Sequence, residues 1–234
     1  MRILLIEDDR DVAAALVRAL TALHHTVRAY HYGSDLLRHH HDADVVVLDL
    51  GLPDTDGVDA LRELRAVSTV PVIVLTARST ERSVVLALRS GADDFVVKPP
   101  RMIEFDARLR AIARRRAVDT ARSSTDGRPL VVRSADVVVD TVGRTVTVSG
   151  APLRLTPTEF GIISLLADNA DSAVSREMLM DGVWGASFGA VSRSLDVHMV
   201  QLRKKLDRPA VLQTIRGFGF RWNVVDAPSG PPPG

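Results

Sequence analysis

The stretch "VVVLDLGLPDTDG", residues 45–57, decides the fold. Four aliphatic residues, three of them β-branched, run into one acid, Asp49. A loop rich in Gly, Pro and Asp follows and opens onto the helical spacing of "GVDALRELRAV" (57–67). An unbroken aliphatic run of this length predicts a strand covered on both faces, and the change of period after it predicts a strand-to-helix turn. An ionisable side chain placed where such a strand stops needs a reason.

The same grammar recurs along the first half. "RILLI" (2–6), "VPVIVLT" (70–76) and "DFVVK" (94–98) are further aliphatic or β-branched runs, while "DVAAALVRALTAL" (11–23), "RSVVLALRSG" (82–91) and "MIEFDARLRAIARR" (102–115) have helical spacing. Strand–helix alternation of this kind predicts a doubly wound parallel sheet with ligands at the carboxyl ends of its strands. First and third strands are neighbours in such a sheet, so "EDD" (7–9) and Asp49 converge on one rim. Carboxylates sharing a crevice repel unless neutralised, and oxygen-only ligands favour Mg²⁺ over Zn²⁺. Thr76 and Lys98 end two more strands. A hydroxyl and an ammonium beside a metal-bound carboxylate suit a phosphoryl group carried on that carboxylate. Taken singly, Asp49 and Thr76 also read as helix caps and Lys98 as a solvated charge; four successive strand ends that each deliver a suitable group favour the site.

The second half changes period. Residues 118–128 lack a periodic apolar face and read as a linker. "LVVRSADVVVDTVGRTVTVSGAPLRL" (130–155) reads as short antiparallel strands. Thr156 and Glu159 form a capping box with Pro157 at the first helical position. "REMLMDGVW" (176–184) and "SRSLDVHMVQLRKKL" (192–206) supply two more helices, and "VLQTIRGFGFRWNVV" (211–225) a hairpin turning at Gly217–Gly219. On the 192–206 helix Leu195, Met199, Leu202 and Leu206 share a face, leaving Arg193, Val197, Val200, Gln201, Arg203 and Lys204 outward. A basic helix of this size fits a major groove, and Arg216 in the hairpin turn suits a minor groove. His198 reads as structural, since no second metal ligand is spaced to help it. The tail, 227–234, has nothing to bury and is expected to be disordered.

Composition narrows the classes. The 234 residues allow two modest domains, and the absence of cysteine excludes disulfides and thiolate metal sites, so a reducing, cytoplasmic setting is expected. No apolar run approaches the ~18–20 residues that a membrane span needs, and the start "MRILLIEDD" reads as a strand rather than a signal peptide. The net charge of +1 hides an asymmetry: residues 193–221 hold seven basic and two acidic side chains, whereas 129–192 hold four and seven. Positive charge is thus concentrated near the C-terminus.

"LLIEDD", "VVVLDLGLPDTDG", "PVIVLTAR" and "SGADDFVVKPP" together resemble the receiver domain of two-component response regulators, over residues 1–117. "LTPTEFGIISLL", "RSLDVHMVQLRKKL" and "IRGFGFRW" are similar to the α+β winged-helix DNA-binding domain of the OmpR/PhoB subgroup, over 129–226. The resemblance implies a five-stranded receiver with Asp49 as phosphoacceptor, and Mg²⁺ held by Asp8, Asp49 and the Gly51 carbonyl, with Glu7 acting through water. It implies Thr76 as switch hydroxyl, Phe95 as switch aromatic, Lys98 as the partner of the phosphoryl group, and a cis Lys98–Pro99 bond. Pro100 departs from the family, which usually has an aromatic residue there. DNA contacts fall on Arg193, Val200, Gln201, Arg203, Lys204 and Arg216. Dimer contacts on phosphorylation fall on Asp93 with Arg115 and Asp94 with Arg108, with Asp106 in place of a small apolar residue in the patch between them and Val84 where a basic partner of Glu104 is usual.

The implied partners are a sensor histidine kinase, double-stranded promoter DNA, RNA polymerase through the charge-free loop 182–192, and a second copy of the chain, with no membrane. The implied role is transcription regulation rather than catalysis on other substrates. A haloacid-dehalogenase-like phosphatase also uses an aspartate nucleophile with Mg²⁺, but it requires a second Asp where Gly51 stands. A DNA-binding protein with a degenerate receiver would lack the acidic pair, Asp49 or Lys98, and none is missing.

Overall fold

Strand β1 (Arg2–Ile6) leads into helix α1 (Arg10–Ala22), and the alternation continues through β2 (Thr26–Tyr30), α2 (Ser34–His39), β3 (Val45–Leu48), α3 (Gly57–Val67), β4 (Val72–Thr76), α4 (Glu81–Arg89), β5 (Asp94–Val97) and α5 (Met102–Ala121). The computed structural model describes residues 1–77, 80–121, 131–185 and 194–226, with side chains described except at 114–121. The five strands are parallel in the order β2-β1-β3-β4-β5. The chain runs outward from β1 to β2 and then crosses back to β3, so the direction of winding reverses between β1 and β3. β3 and β4 are buried along their whole length, as their aliphatic runs predict. The sheet's two faces are sealed by Leu16, Leu20, Phe105 and Ile112 on one side and by Leu36, Leu61, Leu64 and Leu88 on the other.

The second half begins with an antiparallel four-stranded sheet, β6 (Val131–Ser134), β7 (Val137–Asp140), β8 (Thr145–Val148) and β9 (Ala151–Pro152). Three helices follow, α6 (Pro157–Asp168), α7 (Arg176–Trp184) and α8 (Ser194–Leu206). β10 (Ala173–Ser175) pairs with the hairpin β11 (Leu212–Ile215) and β12 (Gly219–Trp222). The capping box at Thr156 and Glu159 is formed in both directions. Gly219 is obligatory where the hairpin crosses β10, because a Cβ there would lie 2.0 Å from the Val174 carbonyl oxygen. No helix among the described residues is long and apolar enough to cross a membrane.

Two boundaries differ from the sequence expectation. Helix α5 runs to Ala121 and occupies the first four positions of the stretch read as a linker from 118. The run "RRRAVDTA" (114–121) contains no Gly or Pro and is rich in strong helix formers, which sustain a helix without an apolar face. The rest of that stretch, the tail 227–234 and most of the loop 182–192 lie outside the described residues. Val197, expected to point outward, is buried, because it packs with Leu88 and Ala87 of α4 in the core of the first half.

The two halves dock. α8 lies against α4, and α6 and α7 against α5. Asp93, fully buried, is the hub of the contact. Its Oδ1 accepts from Thr158 N at 2.9 Å, and its Oδ2 accepts from Val72 N at 2.9 Å and Arg65 Nη2 at 2.8 Å. Its backbone oxygen accepts from the Thr158 hydroxyl (3.3 Å) and Trp184 Nε1 (3.4 Å), with His198 Nε2 at 3.3 Å. Ser194 Oγ donates to Asp94 Oδ1 at 3.4 Å. His198 is thus buried in the contact, in keeping with a structural reading.

Candidate functional site

The carboxyl ends of β1 and β3 bring Glu7, Asp8 and Asp49 together, with one carboxylate oxygen of each within 4.8 Å of the others. Sheet hydrogen bonds carried one residue past the strands fix them there: Asp49 N donates to Ile6 O at 2.9 Å and Glu7 N to Tyr30 O at 3.0 Å. Asp8 is exposed, whereas Glu7 and Asp49 are buried. Asp9 stands apart as the cap of α1, accepting from Asp11 N and Val12 N. Gly57 opens α3 close beneath the site, where any Cβ would fall 2.6 Å from the Asp49 carbonyl oxygen. Gly51 is exposed beside Asp49, and Thr76 is buried at the end of β4.

Lys98 reaches into the crevice from the end of β5. Its Nζ lies 2.8 Å from Asp49 Oδ2 and donates to Glu7 Oε1 at 2.7 Å. Asp49 Oδ1 accepts from Leu50 N at 2.6 Å. The Lys98–Pro99 bond is cis, and Lys98 N donates to Thr76 O. Lys98 Nζ also approaches Glu7 Oε2 to 2.6 Å, yet that oxygen has no hydrogen bond. One ammonium cannot align a proton with both oxygens of the same carboxylate as well as with Asp49, so Oε2 is neutralised from the side and keeps an open acceptor position. Burial pushes the Glu7 carboxyl above its usual range against the opposing pull of Lys98. For Lys98, burial pulls its pKa down, but the hydrogen bonds and charges of Asp49 and Glu7 outweigh it and raise it.

Three carboxylates and one ammonium leave two negative charges in the crevice. A buried oxygen with an open acceptor position and an all-oxygen donor set fit a hard divalent cation such as Mg²⁺. Lys98→Ala is expected to leave Mg²⁺ binding intact, since no metal-donor oxygen is lost. Magnesium titration followed by the amide resonance of Gly51 checks this, and loss of binding in the variant would contradict the all-carboxylate donor set.

The remaining predicted residues fall on two surfaces. On β5 and α5, Arg108 Nη1 pairs with Asp94 within the chain at 2.9 Å and its Nη2 with Glu104 at 2.5 Å. Asp93 faces Arg65, and the Arg115 side chain lies outside the described residues. Phe95 is half-buried on β5 opposite Val74. Asp106 is not an unpaired carboxylate: His25 Nε2 lies 2.6 Å away and Arg110 Nε 2.9 Å away. On the C-terminal half, Val200, Lys204 and Arg216 are exposed. Arg203 donates to Thr214 Oγ1 at 2.5 Å with its guanidinium over the Phe220 ring, and Gln201 is half-buried facing the first half. Arg193 lies outside the described residues.

Sequence reasoning missed Arg65, whose guanidinium ties α3 to Asp93 and to the carbonyls of Ser68, Val70 and Gly91. It also missed His31, whose Nδ1 lies 2.8 Å from Glu7 O and steadies the acidic loop. Neither belongs to a motif; an arginine on the buried flank of an amphipathic helix was the one available signal.

Comparison with known proteins agrees with this geometry. Residues 3–110 match the family described as the response regulator receiver domain, and 150–222 that of the transcriptional regulatory protein C terminus. The transcriptional regulatory protein KdpE of Mycobacterium tuberculosis is 41% identical over 228 residues, covering 95% of this chain and 99% of the relative. PrrA of Mycobacterium leprae is 38% identical over 225 residues, covering 94% of each. Among solved structures, a variant of RitR superposes with a TM-score of 0.76 at 23% identity over 94% of this chain and 98% of that one, a likeness of fold.

Proposed function

Because this chain belongs to the OmpR/PhoB family of two-component response regulators, we propose that Asp49 accepts a phosphoryl group from a sensor histidine kinase, and that the modified chain pairs with a second copy and binds promoter DNA. The observation that carries this reading is the buried Asp49 carboxylate, held between Lys98 and the Leu50 N–H beside two further acids. An Asp49 oxygen forms a bond to phosphorus as the phosphorus–nitrogen bond of the kinase's phosphohistidine breaks, and the electron pair of that bond leaves with the imidazole nitrogen. Asp8, Asp49 and the Gly51 carbonyl, with Glu7 through water, would hold Mg²⁺, which when bound would supply positive charge to offset the phosphoryl oxygens. Lys98 adds a second positive charge, and the Thr76 hydroxyl donates to a phosphoryl oxygen once it arrives. Catalysis is confined to the chain's own phosphorylation and dephosphorylation.

Strand β5 links this chemistry to the output. One end delivers Lys98 to the crevice and the other carries Asp93 and Asp94 in the contact between the halves. Movement of Thr76 and Phe95 towards the phosphoryl group disturbs β5, loosens the Asp93 hub and frees α8. Asp93, Asp94, Arg108 and Arg115 then become available to pair across a two-fold axis. The unmodified chain is thus held closed, with its recognition helix against its own receiver. A histidine kinase and promoter DNA as partners imply action in the cytoplasm, and RNA polymerase would be met through the loop 182–192.

The DNA reading rests on chemistry that separates two residue types. Gln pairs bidentately with adenine N6 and N7, whereas an exposed Arg in a hairpin turn supports affinity through the groove and phosphates. Gln201→Ala is expected to relax preference at one base position per half-site, by roughly 1–3 kcal/mol of discrimination. Arg216→Ala should weaken binding on every sequence and flatten the salt dependence. Selection of bound fragments from a random pool by the phosphorylated protein tests this; an equal loss of affinity on all sequences in the Gln201 variant would assign that side chain to a phosphate instead.

A further inference from the structure

Between the two halves lies a cavity of about 360 Å³, lined from the first half by Arg65 and Arg89 and from the second by Arg154, Glu159, Gln201 and Lys205. Four cations against one acid is an unusual lining, and the pairings within it decide what it can hold. Arg65 is neutralised by Asp93 at 2.8 Å and Lys205 by Glu159 at 2.5 Å. Arg65 also donates to the carbonyls of Ser68, Val70 and Gly91, which follow α3 and α4 and would otherwise turn partial negative charge towards an anion. Arg89 and Arg154 remain, one from each half, both exposed at the cavity. Among the described residues no carboxylate pairs with either, and Arg154 spares only Nη1 for a hydrogen bond, to Ala66 O at 3.1 Å.

Two guanidiniums without a paired carboxylate line the two walls of one cavity, and a dianion bound there would supply the counter-charge that both lack. Guanidinium presents paired N–H donors that match phosphate oxygens, and the Gln201 amide adds a neutral donor at the same wall. The volume lies at the small end of the ~300–1,000 Å³ common for ligand sites. We infer that this cavity binds a small phosphate monoester, a site separate from the acidic crevice at Asp49. Because its walls come from both halves, the ligand binds the closed arrangement alone and opposes release of α8.

Calorimetric titration of the full-length, unphosphorylated, magnesium-free protein tests this, with inorganic phosphate in one arm and glycerol phosphate in the other, at constant ionic strength. One site per chain is expected in both arms. Arg89→Ala and Arg154→Ala should each weaken binding at least tenfold, Arg154→Lys should lose less than Arg154→Ala, and Asp49→Asn should bind as the parent does. No saturable binding in either arm, unchanged binding in both alanine variants, or loss of binding in Asp49→Asn would each overturn the inference. The titration involves neither phosphoryl transfer nor DNA, so its failure leaves the proposed function standing, and failure of phosphorylation at Asp49 leaves this site standing.

Discussion

Asp49→Asn will take up no phosphoryl group from a small phosphodonor with Mg²⁺, whereas the parent chain gains one. The carboxamide keeps the size of the side chain and can still accept from Leu50 N, so the fold of the loop is retained. It removes the anionic oxygen that must form the bond to phosphorus, and with it one of the three charges that make the crevice attractive to a divalent cation. Glu7 and Asp8 remain in the variant, so the absence of uptake there distinguishes Asp49 from the two acids beside it. The mass of the intact protein reads the outcome directly, and one phosphoryl group added to the variant at the parent's rate would remove Asp49 from its role. Withholding Mg²⁺ from the parent should slow uptake by orders of magnitude, because the transferring group then meets an uncompensated cluster of negative charge.

A second large effect is expected far from the phosphorylation site. Arg65→Ala will destabilise the unphosphorylated chain by about 3–5 kcal/mol, since Asp93 is fully buried and Arg65 is the cation that compensates it. Burial lowers the pKa of the Arg65 guanidinium while Asp93 and Glu159 work to raise it, so neither member of the pair is comfortable without the other. The backbone donors Thr158 N and Val72 N remain on Asp93, which places the expected loss towards the lower end. Adding Asp93→Asn to the Arg65 variant should recover part of the loss, because the amide needs no cation. Chemical denaturation of the four members of this cycle measures the coupling, expected at ~1–3 kcal/mol. A loss below ~1 kcal/mol in the single variant, or strict additivity, would mean that water already reaches Asp93.

Much of the acidic crevice was legible because each of its groups ends a strand with a strong aliphatic signal. β3 and β4 are buried throughout, so their residues carry no ambiguity. β2 and α2 have no such signal: "TVRAY" (26–30) is a partly exposed edge strand, and α2 spans only six residues. Their presence follows from the topology rather than from periodicity. The docking of the two halves was illegible for a different reason. Thr158, Trp184 and His198 read as ordinary helix residues in sequence, and what joins them is a single carbonyl oxygen on Asp93. Val197 shows the same limit, since a helical wheel places it on the outer face and only the neighbouring α4 buries it. The partners of Asp106 were illegible likewise, since His25, 81 residues away in sequence, meets it only once the chain has folded.

The central claim is that phosphorylation of Asp49 releases α8 from α4. The chain has no cysteine, so two introduced ones label it cleanly. With spin labels at the exposed positions Arg82 on α4 and Asp196 on α8, two helices that pack together, a pulsed distance measurement before and after phosphorylation should show one short, narrow distribution giving way to a long, broad one. An unchanged short distance in fully phosphorylated, DNA-bound protein would contradict the account.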